Sequence, residues 1–387
     1  MDCAVPKRAS ESDPVEVQRD MVTIGYQSTE RRIVEEKQKE YKELHGSIAR
    51  LTTVADIRCY WDTDGSDFQL KVIKKDELPK INKERLRKGL SEDDCRTLYE
   101  HARGRWHREP YSRVFFEKTV LCGAFDKKDC RILTDDYAIR RILQVNRPRS
   151  ELRCQIRKER FGDMDVIIIG TGEPWVKKEE ENCVADDNQF KNMKARYVPI
   201  ALAKYMTSED FASFVEGIDK DEFYFTYTKL SLGKVDVLIR NYVEGTYENT
   251  DNSSSERVQL WMTSTPTGNP SYKSTRSAYL GNIPYLLLAG YYSKVFVDHM
   301  EQGNSMEMHP IICNAREIEK EDVFRDSSLT GLRMFVEKII AIFEDHPNCT
   351  HIYCSKESAF GTQKRFPIKF EIFSDECAHV DHDTEFL

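Results

Sequence analysis

The segment GKVDVLIR at residues 233–240 has the pattern of a β-strand with one covered face, and it carries an acid. Its valines alternate with charged residues before the run becomes wholly apolar. A carboxylate in such a strand loses hydration, so Asp236 requires a charged or hydrogen-bonding partner. Lys234 lies two positions earlier, and its side chain therefore shares the face of Asp236 on an extended strand. The segment predicts a strand that contains a Lys234–Asp236 ion pair.

Strand and helix patterns surround this segment. Apolar periodicity from Leu329 to Phe343 predicts one helix, with Ser327 or Ser328 as its N-cap, and two further helices are predicted at residues 30–50 and 195–206. Strands and helices do not alternate regularly, which favours an α+β fold over a doubly wound sheet. The other predicted strands, rich in β-branched and aromatic residues, are 165–170, 222–228, 257–262, 284–292, 294–300, 350–355 and 367–373.

Composition limits the class of protein. The 387 residues are 40% hydrophobic, enough for a sizeable core, and the net charge of −8 excludes a general binder of polyanions. Eleven cysteines without a C-x-x-C pair indicate reduced thiols. No apolar run has the length of a membrane span or a signal peptide, so we expect an intracellular protein of the nucleus, the cytoplasm or both. We expect a polar N-terminal extension over 1–50 and a single domain over 51–387.

Positive charge is concentrated in one region. Residues 140–160 hold eight Arg or Lys against two Glu, and residues 101–113 place arginines beside Trp106 and Tyr111. Arginines next to aromatic rings suit a nucleic-acid backbone with stacked bases. A solvated charged surface is the other interpretation, and the residues alone leave both open.

Two further motifs are weak. His346, Cys349, His351 and Cys354 are the residue types that zinc prefers, but their spacing is not that of a common finger, and ordinary strand residues are favoured. The GTG at 170–172 follows a strand without a helix pattern after it, which favours a sharp turn over a nucleotide-binding loop.

The order of motifs in the second half resembles the DXO family of eukaryotic RNA decapping nucleases. The family's G-E-V-D strand, E-L-K strand and F-L-x-G-x-P segment are similar to residues 233–236, 259–261 and 279–284, and a family helix is similar to 199–206. The likeness covers roughly 150–375. It implies an α+β fold with two mixed or antiparallel β-sheets packed together and flanked by helices, around a PD-(D/E)XK-nuclease-like core.

The resemblance also implies an activity. Members remove aberrant caps from RNA 5′ ends and degrade the exposed RNA from 5′ to 3′, with one or two divalent cations (Mg²⁺ or Mn²⁺) held by clustered carboxylates. It implies the RNA 5′ end as a binding partner and, by analogy, a 5′–3′ exoribonuclease. It says nothing of oligomeric state or of the type of cap.

Most of the catalytic groups that the resemblance implies are substituted here. The positions of lost groups are Ala203, Lys234, Gln259, Trp261 and Ser277, and Asp236 is the one retained acid. The implied metal ligands are Asp236, Gln259 and the backbone carbonyl of Leu260. The implied RNA-binding residues are Arg157, Lys158, Arg160, Lys234 and Trp261.

These implied metal ligands include only one carboxylate, whereas Mg²⁺ prefers several hard oxygen ligands. The neighbouring Lys234 can also occupy the place of the cation. We therefore expect a family protein that binds RNA 5′ ends with weak or lost activity. The alternatives are an active decapping nuclease with a rearranged metal site, in which an acid such as Glu256 or Glu173 substitutes, and a non-enzymatic regulatory interaction module. An unrelated α+β protein also remains open.

Overall fold

The structure is a computed structural model. It describes residues 20–24, 50–61, 68–102, 118–125, 131–144, 151–161, 164–171, 187–219, 222–248, 254–263, 270–315, 326–357 and 368–374.

The described residues form two β-sheets and a set of helices. The strands are β1 (Asp20–Ile24), β2 (Arg50–Trp61), β3 (Phe68–Ile73), β4 (Ile132–Asp135), β5 (Leu152–Phe161), β6 (Met164–Thr171), β7 (Glu222–Leu232), β8 (Val235–Tyr242), β9 (Gly245–Glu248), β10 (Ser255–Trp261), β11 (Tyr285–Leu288), β12 (Ile311–Asn314), β13 (Cys349–Lys356) and β14 (Ile368–Ser374). The helices are α1 (Lys83–Lys88), α2 (Glu92–Ala102), α3 (Asp136–Leu143), α4 (Asp187–Thr207), α5 (Phe211–Asp219), α6 (Tyr272–Leu280), α7 (Ser293–Glu301) and α8 (Asp326–Asp345), with a 3₁₀ turn at Lys75–Glu77.

The strands of the large sheet begin and end on two opposite sides of the sheet. Its strand order is β1-β14-β13-β5-β6-β4-β8-β7-β2-β3, and β4 runs parallel to both β6 and β8 while its other neighbouring pairs are antiparallel. The ends of β4 (Asp135), β6 (Thr171) and β8 (Tyr242) therefore share one side, here called the carboxyl edge. The starts of β6 (Met164) and β8 (Val235) share the opposite side, here called the amino edge.

The small sheet meets the large one at the carboxyl edge. Its order is β12-β11-β10-β9, with β10 parallel to β11 and antiparallel to β9. The chain leaves β8 at Tyr242, and two residues later the Glu244 N–H donates to the Val258 carbonyl of β10 (3.0 Å). A buried ion pair between Arg257 of β10 and Asp56 of β2 also joins the two sheets (2.8 and 2.5 Å). β10 therefore lies directly against the ends of the large-sheet strands.

Two main hydrophobic cores support this arrangement. One lies between the large sheet and helices α3 and α8, where Ile139, Phe335 and Ile339 pack against strand residues such as Ile156 and Ile239. The other gathers helices α2, α4, α5 and α7 over β10 and β11. None of the helices in the described part of the chain combines the length and the apolar character that a membrane span needs.

Most predicted elements are confirmed. The predicted α+β class with two mixed sheets flanked by helices is confirmed. The helix over 195–206 is the second half of α4, and the helix over Leu329–Phe343 is α8. All but the last residue of the helix predicted at 30–50 lies outside the described residues, and the division at residue 50 stays a prediction.

One predicted strand is wrong and another is shorter than expected. Residues 294–300 form helix α7, and Phe296 and Val297 are buried against α2 and α4 while Val295 is 44% exposed. Two consecutive buried residues fit the periodicity of a helix and not the alternation of a strand. The strand predicted over 284–292 ends at Leu288, and Gly290 then takes a φ of 83° that favours glycine. Both segments are rich in β-branched and aromatic residues, and tertiary packing overrode that local preference.

Candidate functional site

The site is built around Glu244, the acid that follows β8. Leu260 of β10 donates its N–H to Glu244 Oε2 (2.7 Å). The N–H and C=O of one strand residue point to the same side, so the Leu260 carbonyl faces Glu244 as well. The Trp261 carbonyl points the other way and accepts from Ala289 next to β11 (3.0 Å). The carboxyl group and the Leu260 backbone therefore line one side of β10.

A second acid reaches the same place from the end of β4. Asp135 caps helix α3 by accepting the Ala138 N–H (2.7 Å), and Asp136 is the first residue of that helix. Asp136 Oδ2 accepts from Ser277 Oγ of α6 (2.5 Å) and from Arg140 Nε (3.0 Å). The Asp136 and Arg140 side chains are each only 12% exposed, so their ion pair is shielded from water.

Gln259 completes a continuous chain of polar contacts. Its Nε2 donates to Ser277 Oγ (3.0 Å), which links the amide through the hydroxyl to Asp136 and Arg140. Gln259 is 96% buried, and its Oε1 has no hydrogen-bond partner among the described residues. A buried acceptor left unpaired costs about 1–3 kcal/mol, so this oxygen marks a position where a donor or a cation fits.

Burial is the main cause of the raised pKa values of Glu244 and Asp135. The pKa of Glu244 is raised to about 8, mainly because the carboxyl is enclosed; the Leu260 N–H opposes this shift and the Asp136 charge adds to it. The residue keeps some surface at a pocket wall, but its carboxyl group is surrounded by protein. Burial likewise raises the pKa of Asp135, against the lowering effect of buried Arg240. Near pH 7, Glu244 is therefore mostly protonated.

A pocket of about 370 Å³ opens beside Glu244. Its walls come from α4, which contributes Ala203 and Lys204, and from the strands β7 and β8, which contribute Phe223 and Tyr242. The Lys204 ammonium lies 6.0 Å from the centre of the Phe223 ring. The pocket thus combines aromatic surface and one lysine with three acidic residues, Glu209, Glu222 and Glu244.

The structure brings five of the residues predicted from the sequence to this site. Ala203 lines the pocket, and Gln259, Leu260, Trp261 and Ser277 surround the two acids. Trp261 also stacks near Arg140, whose guanidinium carbon lies 5.3 Å from the ring centroid.

Asp236 and Lys234 lie elsewhere. Asp236 is at the start of β8 on the amino edge, and the six residues from there to Tyr242 span about 20 Å of extended chain. The ion pair described for Asp236 joins it to Lys229 of β7 (3.7 Å), while Lys234 is exposed in the β7–β8 turn. The turn at Gly233 (φ 75°) fixes this hairpin and takes Lys234 out of the strand.

The predicted basic residues also lie away from the site. Arg160 is in register with Asp165 at the amino edge, and Lys158 forms an ion pair with that same acid (3.8 Å). Arg157 donates to the Gln155 side chain (3.2 Å) at the middle of β5. Antiparallel pairing of β5 with β6 is the reason, because it carries the end of β5 away from the carboxyl edge. Trp106, Tyr111, Arg147 and Arg149 lie outside the described residues.

Sequence reasoning missed Glu244, Asp136 and Arg140. A signal existed for each acid: Glu244 opens the polar segment 244–257, and Asp136 follows the apolar ILT of β4 at a strand end. Arg140 was counted only as part of a basic run. Of the substitute acids considered, Glu256 pairs with Lys75 (3.5 Å), and Glu173 lies outside the described residues.

The residues at this site fit a divalent cation poorly. Mg²⁺ needs near-octahedral oxygen ligands, several of them free carboxylates or waters. Asp136 is already engaged by Arg140 and Ser277, and one Glu244 oxygen accepts from Leu260. Within the described ranges, no group of three or more His, Cys, Asp or Glu could hold a metal ion, and this includes the Cys349–Cys354 region.

Comparison with solved structures defines the class of fold. No family model and no curated protein matches the sequence. Structural matches include Rai1 structures, which have the decapping-nuclease fold that the sequence resemblance implied, so the predicted fold is confirmed.

Three of these structures illustrate the match. Schizosaccharomyces pombe Rai1 in complex with 3′-FADP aligns with a TM-score of 0.53 at 12% identity, over 84% of this chain and 95% of that one. Candida albicans Rai1 in complex with pU5-Mn²⁺ gives 0.53 at 10% identity, over 85% and 90%. Scheffersomyces stipitis Rai1 gives 0.54 at 12% identity, over 85% and 93%. At such identities the likeness establishes a shared fold.

Proposed function

We propose that this protein binds the 5′ end of RNA, or a nucleotide derived from it, in the pocket beside Glu244 and hydrolyses it weakly or not at all. One observation carries the proposal. In a fold shared with Rai1, the positions that the resemblance assigns to metal chemistry hold the Ala203 methyl group and the Gln259 amide, and the carboxyl group beside them, Glu244, accepts from the Leu260 N–H.

The character of the pocket supports a nucleotide-sized ligand. Its volume of about 370 Å³ lies in the range of small-molecule sites. Phe223 and Tyr242 offer aromatic surface for a base, and Lys204 offers a cation for a phosphate. The Rai1 structures that contain 3′-FADP and pU5 make a nucleotide or an RNA 5′ end the natural first ligand class to test.

Binding and hydrolysis are tested separately. Fluorescence anisotropy with 5′-monophosphate RNA in EDTA is expected to show binding that weakens steeply with salt, because phosphate contacts release counterions. Lys204→Ala should weaken binding about tenfold, while Lys369→Ala, at an exposed position of β14, should not. Absence of salt-dependent binding in the wild type would favour the non-enzymatic interaction module instead. The exoribonuclease partner stays a prediction.

Hydrolysis is measured with 5′-monophosphate, 5′-triphosphate and NAD-capped RNA in Mg²⁺ or Mn²⁺. We expect single-turnover rates at the level of a protein-free control. Robust turnover that Glu244→Gln abolishes would contradict the impairment and support the second candidate, an active nuclease with a rearranged metal site. The specific observation that favours this second candidate is the unpaired Gln259 Oε1, whose amide is linked through Ser277 to the Asp136 carboxylate.

A further inference from the structure

We propose that Arg140 is a built-in cation that takes the place of a divalent metal ion, so that this site operates without metal. The inference rests on the proposed function only for what the site binds. It concerns the positive charge at the centre of the site, which the side chain of Arg140 on helix α3 supplies.

The first argument is the position of the guanidinium group. Arg140 Nε lies 3.0 Å from Asp136 Oδ2, and Ser277 donates to that same oxygen. Ser277 in turn holds Gln259, whose Oε1 is buried and has no partner among the described residues. Arg140 therefore supplies its charge to the same chain of oxygen ligands that a metal ion would need.

The second argument is that the guanidinium group is held in place from two sides. Its central carbon lies 5.3 Å from the Trp261 ring centroid and 5.6 Å from that of Tyr137. Aromatic faces attract a cation, and a planar guanidinium stacks on them as a hydrated metal ion does not. Trp261 is the last residue of β10 and directly follows Leu260, so this contact puts the charge at the end of β10.

The third argument is competition for Asp136. Both side chains of the ion pair are 12% exposed, so water screens their attraction little. A metal ion would have to displace Arg140 from Asp136 and leave a buried, unpaired guanidinium, which is costly. The remaining oxygen ligands, from Glu244, Gln259 and the Leu260 backbone, include only one carboxyl group, which is a weak set for Mg²⁺ or Mn²⁺.

An ordinary helical ion pair is the competing interpretation, because Asp136 and Arg140 are four residues apart on α3. The chain offers a matched control in Arg333 and Glu337 of α8, an ion pair with the same spacing and an Arg Nε–Glu Oε1 distance of 2.7 Å. Arg333→Gln removes a helical pair without opening a site. Only the proposed role predicts that removal of Arg140 creates metal affinity.

The experiment is a Mn²⁺ titration by calorimetry and by thermal unfolding, without RNA. The wild type and Arg333→Gln are expected to show no binding at millimolar Mn²⁺. Arg140→Gln should bind Mn²⁺ at least tenfold more tightly and gain melting temperature with added metal. The double variant Asp136→Asn with Arg140→Gln should lose that gain.

Two results would overturn the inference: tight Mn²⁺ binding by the wild type, or a folded Arg140→Gln protein with no response to the metal. If Arg140→Gln does not fold, Arg140→Met serves as the second variant, and the wild-type titration remains decisive by itself. The RNA-binding assay in EDTA fails or succeeds independently of these titrations, so failure of the proposed function and failure of this inference are distinguishable.

Discussion

The Glu244→Gln variant tests the central electrostatic feature of the site. In the folded protein the carboxyl group is enclosed, and its one described side-chain contact is as an acceptor from the Leu260 N–H. A glutamine amide oxygen can accept the same hydrogen bond, and it carries no ionisable proton. The substitution therefore removes the titration of Glu244 while it keeps the local contact, and we expect the variant to be more stable than the wild type at neutral pH.

The magnitude follows from the difference between the two pKa values. Folding raises the pKa from 4.5 to about 8, which corresponds to about 5 kcal/mol when the group is fully ionised in the unfolded chain. At pH 7 the folded group is still mostly protonated, so the cost is about 3 kcal/mol, and the open pocket wall reduces it to about 2 kcal/mol. Stability from the protonated carboxyl is complete below pH 4.5 and is lost as the pH rises towards 8.

The measurement is urea unfolding in EDTA at pH 5, 6, 7 and 8. The difference in free energy of unfolding between Glu244→Gln and the wild type should grow from about 0.5 kcal/mol at pH 5 to about 2 kcal/mol at pH 7. Glu357→Gln, at an exposed glutamate just after β13, is the matched control for the removal of one acid from the surface. A Glu244→Gln protein that is less stable than the wild type at every pH would refute the reasoning.

Three further substitutions probe the site and its supports. Ser277→Ala removes the hydroxyl that joins the acid of α3 to the amide of β10, and urea unfolding should show a loss of about 1–2 kcal/mol. Arg257→Ala leaves Asp56 buried and unpaired between the two sheets, so we expect a loss of about 3 kcal/mol and a lower melting temperature. Asp236→Asn breaks only a partly exposed ion pair, so the free energy of unfolding should change by less than about 1 kcal/mol. RNA affinity should stay unchanged. A loss of RNA binding would show that Asp236 belongs to the binding site.

Much of the fold could be predicted because its elements carry local patterns. Helix α8 shows uninterrupted apolar spacing from Leu329 to Phe343, and β7, β8 and β14 alternate or run apolar as strands do. Helix α7 was mistaken for a strand since Val295, Phe296 and Val297 favour extended backbone in isolation. Their burial against α4, which reverses that preference, arises from residues far away in the sequence.

The candidate site was only half predictable. Gln259, Leu260, Trp261 and Ser277 were identified through motif order, and they do lie together. The acid was assigned to Asp236 because GKVD reads like the family's strand motif. Strand β8 continues to Tyr242, however, and its end rather than its start meets β10. A pattern of period two along a strand indicates which face a side chain is on, but it does not indicate which end of the strand meets another sheet. It therefore cannot tell whether Asp236, near the start of β8, or Glu244, just after its end, reaches the site.

By itself, the sequence determined the α+β class and the main strands and helices. Only the tertiary structure decided which charges meet. The parallel pairing of β4 with β8 brings Asp136 and Arg140 to the carboxyl edge, where Glu244 follows β8 and contacts β10, and it leaves Asp236 and Arg160 at the amino edge. The physical reason is that strand direction and register are set by contacts between residues more than a hundred positions apart, which no local pattern records.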